Sequence, residues 1–262
     1  LAAPEVLVRR VHLILTGLPP EAEVVRAFVA DPSPQAYEAL VDKLLSSKAF
    51  GERWARHWMD WYRYAESHGS EGDPRIPYAQ QYRDYLIRAL NDDVPYNQLL
   101  REHLAGDLLE NPRINEALAI NESAIGPAHL RMVPHGFGVT DAYQEQIAFT
   151  DNQIDVISKA MLGVTVSCAR CHDHKFDPIS QNDFYRFYGI LVGSRPSNVL
   201  IDAPEKLETN HDAIVELKNQ LRELFAEHWL TQVTALPDWL NRNARQIEQH
   251  RNHTQPLGTW VL

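Results

Sequence analysis

Gly51-Glu52-Arg53-Trp54-Ala55-Arg56-His57-Trp58-Met59-Asp60-Trp61, continued by Tyr62-Arg63-Tyr64-Ala65-Glu66, sets Trp54, Trp58, Trp61 and Ala65 at i, i+4, i+7 and i+11. That spacing puts three large aromatics on one face of an α-helix over about residues 51 to 66. Such a face is either an aromatic core stripe or a surface that meets something flat, and Gly51 starts or interrupts the helix.

Helical spacing continues outward in both directions, and no long stretch alternates with a period of two, so the fold class is mainly α. Upstream, Ser33-Pro34 reads as an N-cap with proline at the first helical position, and Tyr37, Leu40, Val41, Leu44 and Leu45 mark one apolar face. Downstream, helices are expected near 78–91, 95–105 and 142–161, the last carrying Ile147, Ile154, Ile157 and Met161 on one side. Val164-Thr165-Val166 then reads as a short extended segment. Asn182 caps an aromatic helix with Phe184, Tyr185, Phe187, Tyr188 and Leu191, a wall for whatever lies beside it.

The helix at 142–161 leads into Cys168-Ala169-Arg170-Cys171-His172, which holds the only two cysteines of the chain. C-x-x-C-H is the sequence to which haem is covalently attached in c-type cytochromes. Two thiols three positions apart reach two vinyl groups along one porphyrin edge, and the next residue brings an imidazole to the iron. The expected cofactor is therefore one covalently attached haem c, with Cys168 and Cys171 as thioether positions and His172 as proximal ligand. Zinc would need four N or S ligands, and no second C-x-x-C or H-x3-H unit closes such a site. A redox dithiol should open a helix after a buried strand, whereas both flanks here are helical. Asp177-Pro178 ends the segment, because the residue before proline is pushed out of the α region.

Around this motif, Trp54, Trp58 and Phe184 are candidate haem contacts, and Arg53, Arg56, Arg170, Lys175 and His174 are candidate partners for its propionates. His174 is too close to His172 to cross to the opposite face of the ring. His57 and His135 are the leading candidates for a distal iron ligand, and Met59, His68, His103, His129, Met132 and Met161 stay in reserve. Glu66, His68, Glu71 and Asp73, with Gly69 and Gly72 between them, lack the spacing of a known calcium loop and read as a polar connection.

Beyond about residue 205 the composition becomes poorer in aromatics and richer in Glu, Lys, Gln and Asn. Residues 207–229 form an amphipathic helix with Ile214, Leu217, Leu221, Leu224 and Phe225 on its apolar side, and a second helix is expected after Pro237. This divides the chain into a helical haem c-binding domain, 1–205, and an amphipathic arm, 206–262, built as a helical hairpin or coiled-coil-like arm. The apolar end at Leu262 reads as leading into a further domain, and the start at Leu1 as that of a processed or excised chain.

At 262 residues, 44% hydrophobic and 23% charged, the chain can bury a substantial core. A net charge of −10, with no basic stripe interleaved with aromatics, argues against nucleic acid as a partner. No run of eighteen apolar residues occurs, so no transmembrane span is expected. Covalent haem attachment takes place outside the bacterial cytoplasm, so a periplasmic or cell-surface location is expected.

Several segments add up to a family resemblance: Leu15-Thr16-Gly17-Leu18-Pro19-Pro20, Gly51 to Trp58, Arg63-Tyr64-Ala65-Glu66-Ser67, Tyr82-Arg83-Asp84-Tyr85, Leu104-Ala105-Gly106-Asp107, and the run from Leu162 through the haem motif to His174-Lys175-Phe176-Asp177-Pro178-Ile179. The chain resembles the planctomycete-type cytochrome c family, in its central domain of unknown function, from about residue 7 to 195. The resemblance implies a large exported bacterial protein in which this domain often follows a small cytochrome c domain and precedes another uncharacterised one. Redox partner proteins, another cytochrome c domain among them, are then the expected partners. The expected function is electron transfer in an extracytoplasmic oxidation system, and the alternative is a haem enzyme with an open distal site, peroxidase-like or oxidising a substrate.

Overall fold

Proline and small polar residues mark where this chain starts its helices. In the computed structural model, which describes residues 2–70, 72–134, 140–194 and 197–253, Pro4 opens α1 (Pro4–Leu15), and α2 (Ala22–Ala30) follows. Pro34 opens α3 (Pro34–Leu45), where Ser33 accepts a hydrogen bond from the Ala36 N–H at 3.2 Å. A proline at the first helical position sacrifices only an N–H that has no partner within the helix. The body continues with α4 (Lys48–Trp61), α5 (Gln80–Asn91) and α6 (Tyr96–Ala105). A two-residue antiparallel pair, β1 (Ile114–Asn115) and β2 (Ile120–Asn121), precedes a 3-10 stretch over Ser123–Arg131. Next come α7 (Ala142–Leu162), capped by the Asp141 carboxylate, and α8 (Gln181–Val192). After α9 (Pro204–Glu208), α10 (His211–His253) runs for 43 residues. The protein is mainly α, as its periodicity implies.

Two hydrophobic cores organise the body. The large one gathers Ala55, Trp58 and Tyr62 from the α4 region, Tyr82, Tyr85, Leu86 and Ala89 from α5, and Leu99 from α6. The small one holds Ile154, Val166, Ala169 and Phe184. Helix α7 serves both, with Val156 in the large core and Ile154 in the small one. Burying such side chains stabilises the fold by roughly 1.5–3 kcal/mol each. The chain separates into two compact units, Leu1–Ala203 and Pro204–Leu262.

Several local expectations are corrected. Gly51 neither starts nor interrupts α4; it lies inside it, because a Cβ there would meet the Ile87 carbonyl and the Asn91 side chain at 2.5 Å, where α5 crosses closely. The helix stops at Trp61, so Ala65 lies outside it, and the tryptophan stripe divides: Trp58 is 8% exposed and Trp61 52%. Val166 opens a 3-10 turn instead of closing an extended segment. Ser180, not Asn182, caps α8, since its hydroxyl accepts from the Asp183 N–H while the Asp183 carboxylate accepts from the Ser180 N–H, a reciprocal capping box. The arm is helical, but α10 passes straight through Pro237 instead of turning back there. Proline removes one intrahelical hydrogen bond, yet no glycine flanks it, and the apolar spacing of Val233, Leu236 and Leu240 runs on unbroken. Among the described residues, no helix is long and apolar enough to cross a membrane.

Candidate functional site

Helix α7 ends at Gly163, whose backbone is left-handed, and the chain turns at once into a 3-10 segment, Val166–Arg170. Inside that segment Val166 and Ala169 point into the small core, where Ile154 of α7 and Phe184 of α8 meet them. A tight helix that buries positions 166 and 169 must turn 168 outward. Cys168, Cys171 and His172 are all exposed, and both cysteines are free thiols.

The turn is pinned from several sides. Arg170 pairs with Asp151 of α7 at 2.9 Å, and its carbonyl accepts from Gln181 Nε2 and Tyr185 Oη of the α8 helix. The Asp173 carboxylate accepts from the Gln181 N–H at 2.8 Å. Within the following loop His174 is an internal brace. Its Nδ1 accepts from the Asp177 N–H at 2.9 Å and from the Phe176 N–H, so Nε2 carries the proton and donates to Thr165 Oγ1 at 3.0 Å. His172 is set the other way: its Nδ1 lies 2.7 Å from the Asp173 carbonyl, which only an N–H can approach so closely. That bond leaves Nε2 of His172 as the lone-pair nitrogen, the arrangement a ligating histidine needs.

The other sequence-derived candidates fall in several places. Phe184 is 1% exposed and supports the turn from within the small core. Trp58 belongs to the large core, where its indole N–H donates to His103 Nε2 at 3.0 Å, and Trp54 packs between Phe50 and His57. His57 itself is half-buried against that indole. His135 lies outside the described residues. Arg53 packs along Gly17, Arg170 is committed to Asp151, both ring nitrogens of His174 are committed to its own loop, and Lys175 lies 5.2 Å over the Phe176 ring. Met59, Met132 and Met161 pack in or against the large core. The Glu66 to Asp73 segment is a polar connection: Asp73 accepts from the Gly69 N–H, and Glu66 accepts from Tyr64 and faces Arg83. Glu71 is outside the described residues, and among those described no three His, Cys, Asp or Glu side chains converge as a metal site.

Sequence reasoning missed a buried polar network in the large core. His103 donates Nδ1–H to the Leu99 carbonyl at 2.7 Å, so Nε2 must accept, from the Tyr82 hydroxyl at 2.8 Å and from Trp58. His129 lies 3.0 Å from the His103 carbonyl through Nε2. Glu102 is fully buried and accepts from Tyr85 at 2.6 Å, Ser123 at 2.9 Å, Gln98 and Arg113. Burial alone would push its carboxyl up, yet the hydrogen bonds from Arg113, Tyr85 and Gln98 outweigh that and hold it below the usual range. Glu122, also fully buried, is gripped by both forks of Arg88 and by Asn115. The backbone of Gly126 comes so near Glu102 that a Cβ would sit 2.2 Å from its carbonyl oxygen. The one local signal was Leu99, Glu102 and His103 at i, i+3 and i+4, which puts two polar residues on an apolar helix face.

This network has a pH consequence. Burial, with only partial compensation from the Leu99 carbonyl and Glu102, lowers His103 to about 4. Burial and the neighbouring His103 lower His129 to about 3. The unfolded chain takes up both protons near pH 6.5, whereas the folded chain refuses them until far lower, so stability is full above pH 6.5 and falls as the pH drops toward 4. Two such groups remove on the order of 3 kcal/mol between pH 7 and pH 5. Urea melts at those two pH values measure the loss, and midpoints that coincide would contradict the burial of the two rings in neutral form.

The class that the fold defines is a mainly α domain that carries an exposed Cys168-Ala169-Arg170-Cys171-His172 turn between two helices. The match to a family model is specific. Residues 1–196, about three quarters of the chain, fit PSCyt2, described as a protein of unknown function (DUF1549), and the chain belongs to that planctomycete cytochrome-associated family. No curated protein and no solved structure matches the chain.

Proposed function

We propose that this domain binds one haem c covalently through Cys168 and Cys171, takes His172 as its proximal ligand, and transfers electrons in an extracytoplasmic oxidation system. The observation that carries the reading is the donor set of the turn. Two free thiols three positions apart and an imidazole with a lone pair on Nε2 are all exposed, on a segment held rigid from below by Phe184 and from the side by Arg170. Those groups fit a haem, which bound there would supply one-electron chemistry at iron. The chain's own contribution is to orient the ligand. The Asp173 carbonyl fixes the His172 tautomer, and the Asp151–Arg170 pair keeps the turn from swinging. The thiols do not lie at a helix start after a strand, as in a dithiol oxidoreductase, and among the described residues no further ligands gather beside them, as zinc requires.

A second reading, a haem enzyme with an open distal face, draws on where the reserve ligands lie. His103 uses both ring nitrogens within the large core, His129 and His68 are bonded to backbone carbonyls, and the methionines pack in or against that core. The deciding experiment is an optical spectrum, oxidised and reduced, with and without carbon monoxide, after a pyridine haemochrome assay. The electron carrier is expected to give a low-spin spectrum unmoved by carbon monoxide. A high-spin spectrum shifted by carbon monoxide gives the enzyme reading the lead, and a protein without covalent haem sinks both. Exported location and redox partner proteins, another cytochrome c domain included, follow from this same reading.

A further inference from the structure

Helix α10 leaves an unusual amount of apolar surface in water. Between residues 214 and 240 it carries twelve large hydrophobic side chains, each 41–67% exposed. At roughly 100° per residue, all but Leu230 fall within one half of the helix. Taking ~150–250 Å² for a large side chain, the exposed face is on the order of 1,000 Å², above the ~300–600 Å² of the largest patch on a typical monomer. Two such faces in contact would bury close to the ~1,600 Å² of a stable protein interface.

We infer that α10 pairs antiparallel with α10 of a second copy of this chain, about a two-fold axis near residue 227. The area fits a second copy, and the polar residues on the apolar half decide the direction. In a parallel, in-register pair Lys218 would face Lys218 and Arg222 would face Arg222, a like-charge repulsion at each. In the antiparallel pair Lys218 meets Leu236 and Arg222 meets Gln232. Ten of the twelve large apolar positions then meet another, Ile214 against Leu240, Leu221 against Val233 and Phe225 against Trp229 among them, while Leu217 meets Pro237. An isologous contact of this kind closes on itself and yields a dimer instead of a filament.

Sedimentation equilibrium of the full chain tests it, with the 30.0 kDa protein expected to run as a dimer at low micromolar concentration. Leu221→Glu with Phe225→Glu alters only half-exposed side chains and is expected to weaken the dimer at least about a hundredfold. A monomer throughout that range overturns the inference, as does a dimer indifferent to the two glutamates. Association that appears only with added lipid vesicles hands the face to another occupant and also overturns it. Direction is read by disulfide trapping in a Cys168→Ser, Cys171→Ser background. Chains carrying Ile214→Cys and Leu240→Cys are expected to cross-link with each other, and cross-links of each only with itself would refute the antiparallel register.

Discussion

The double substitution Cys168→Ser, Cys171→Ser is expected to abolish covalent haem altogether while leaving the helical circular dichroism unchanged. Both thiols are exposed and unbonded to one another, and the side chains that seat the turn, Val166 and Ala169, are untouched. Serine nearly preserves the shape of cysteine but has no sulfur to form a thioether. The measurement is a haem-stained denaturing gel with a pyridine haemochrome spectrum of the same fractions. Colour that survives denaturation in the double variant would show that the cysteines are not the attachment points. The companion variant His172→Ala retains both thiols, so it is expected to keep the cofactor attached and change only the axial ligation seen in the optical spectrum. Loss of activity alone would not separate these two roles; the pair of readouts does.

Arg88→Met is expected to cost about 3–5 kcal/mol of stability, because it leaves the Glu122 carboxylate buried without its counter-ion. In a domain of this size that lowers the melting temperature by roughly 10 °C. The double variant Arg88→Met, Glu122→Met is expected to recover much of the loss, since the penalty lies in the orphaned charge and not in the missing attraction. Thermal melts of the two variants beside the parent are the check. A single variant within ~1 kcal/mol of the parent would mean that water reaches Glu122. A double variant as unstable as the single one would mean that the pair contributes mainly through packing of the Arg88 side chain, 24% exposed along α5.

Local physics made the frame readable and hid what joins it. Helices α3, α5, α6 and α7 follow from apolar spacing and caps, with Ser33-Pro34 the clearest case, because each of those signals lies within a few residues of its effect. The cysteine turn is local in the same way, because Cys168, Cys171 and His172 lie within five consecutive residues. What could not be read depends on residues far apart in sequence. Gly51 is required by α5, some forty positions later. Arg88 finds Glu122 across 34 residues, and Trp58 finds His103 across 45. The bracing role of the His174 ring is hidden as well, because its partners, Thr165, Phe176 and Asp177, are mostly backbone groups that no residue-type pattern displays. Pro237 misled in the opposite sense: a strong local breaker was overruled by the apolar periodicity around it.

Cys168 and Cys171 stand at the surface of a turn that is already fully braced. Any reagent or maturation machinery that acts on these sulfurs can therefore meet them on the finished fold, with no helix to unwind and no core to open first. On the proposed reading, chain folding and cofactor ligation are separable in time, and a chain folded before its haem arrives waits in native form, open to oxidation of its two neighbouring thiols to a disulfide.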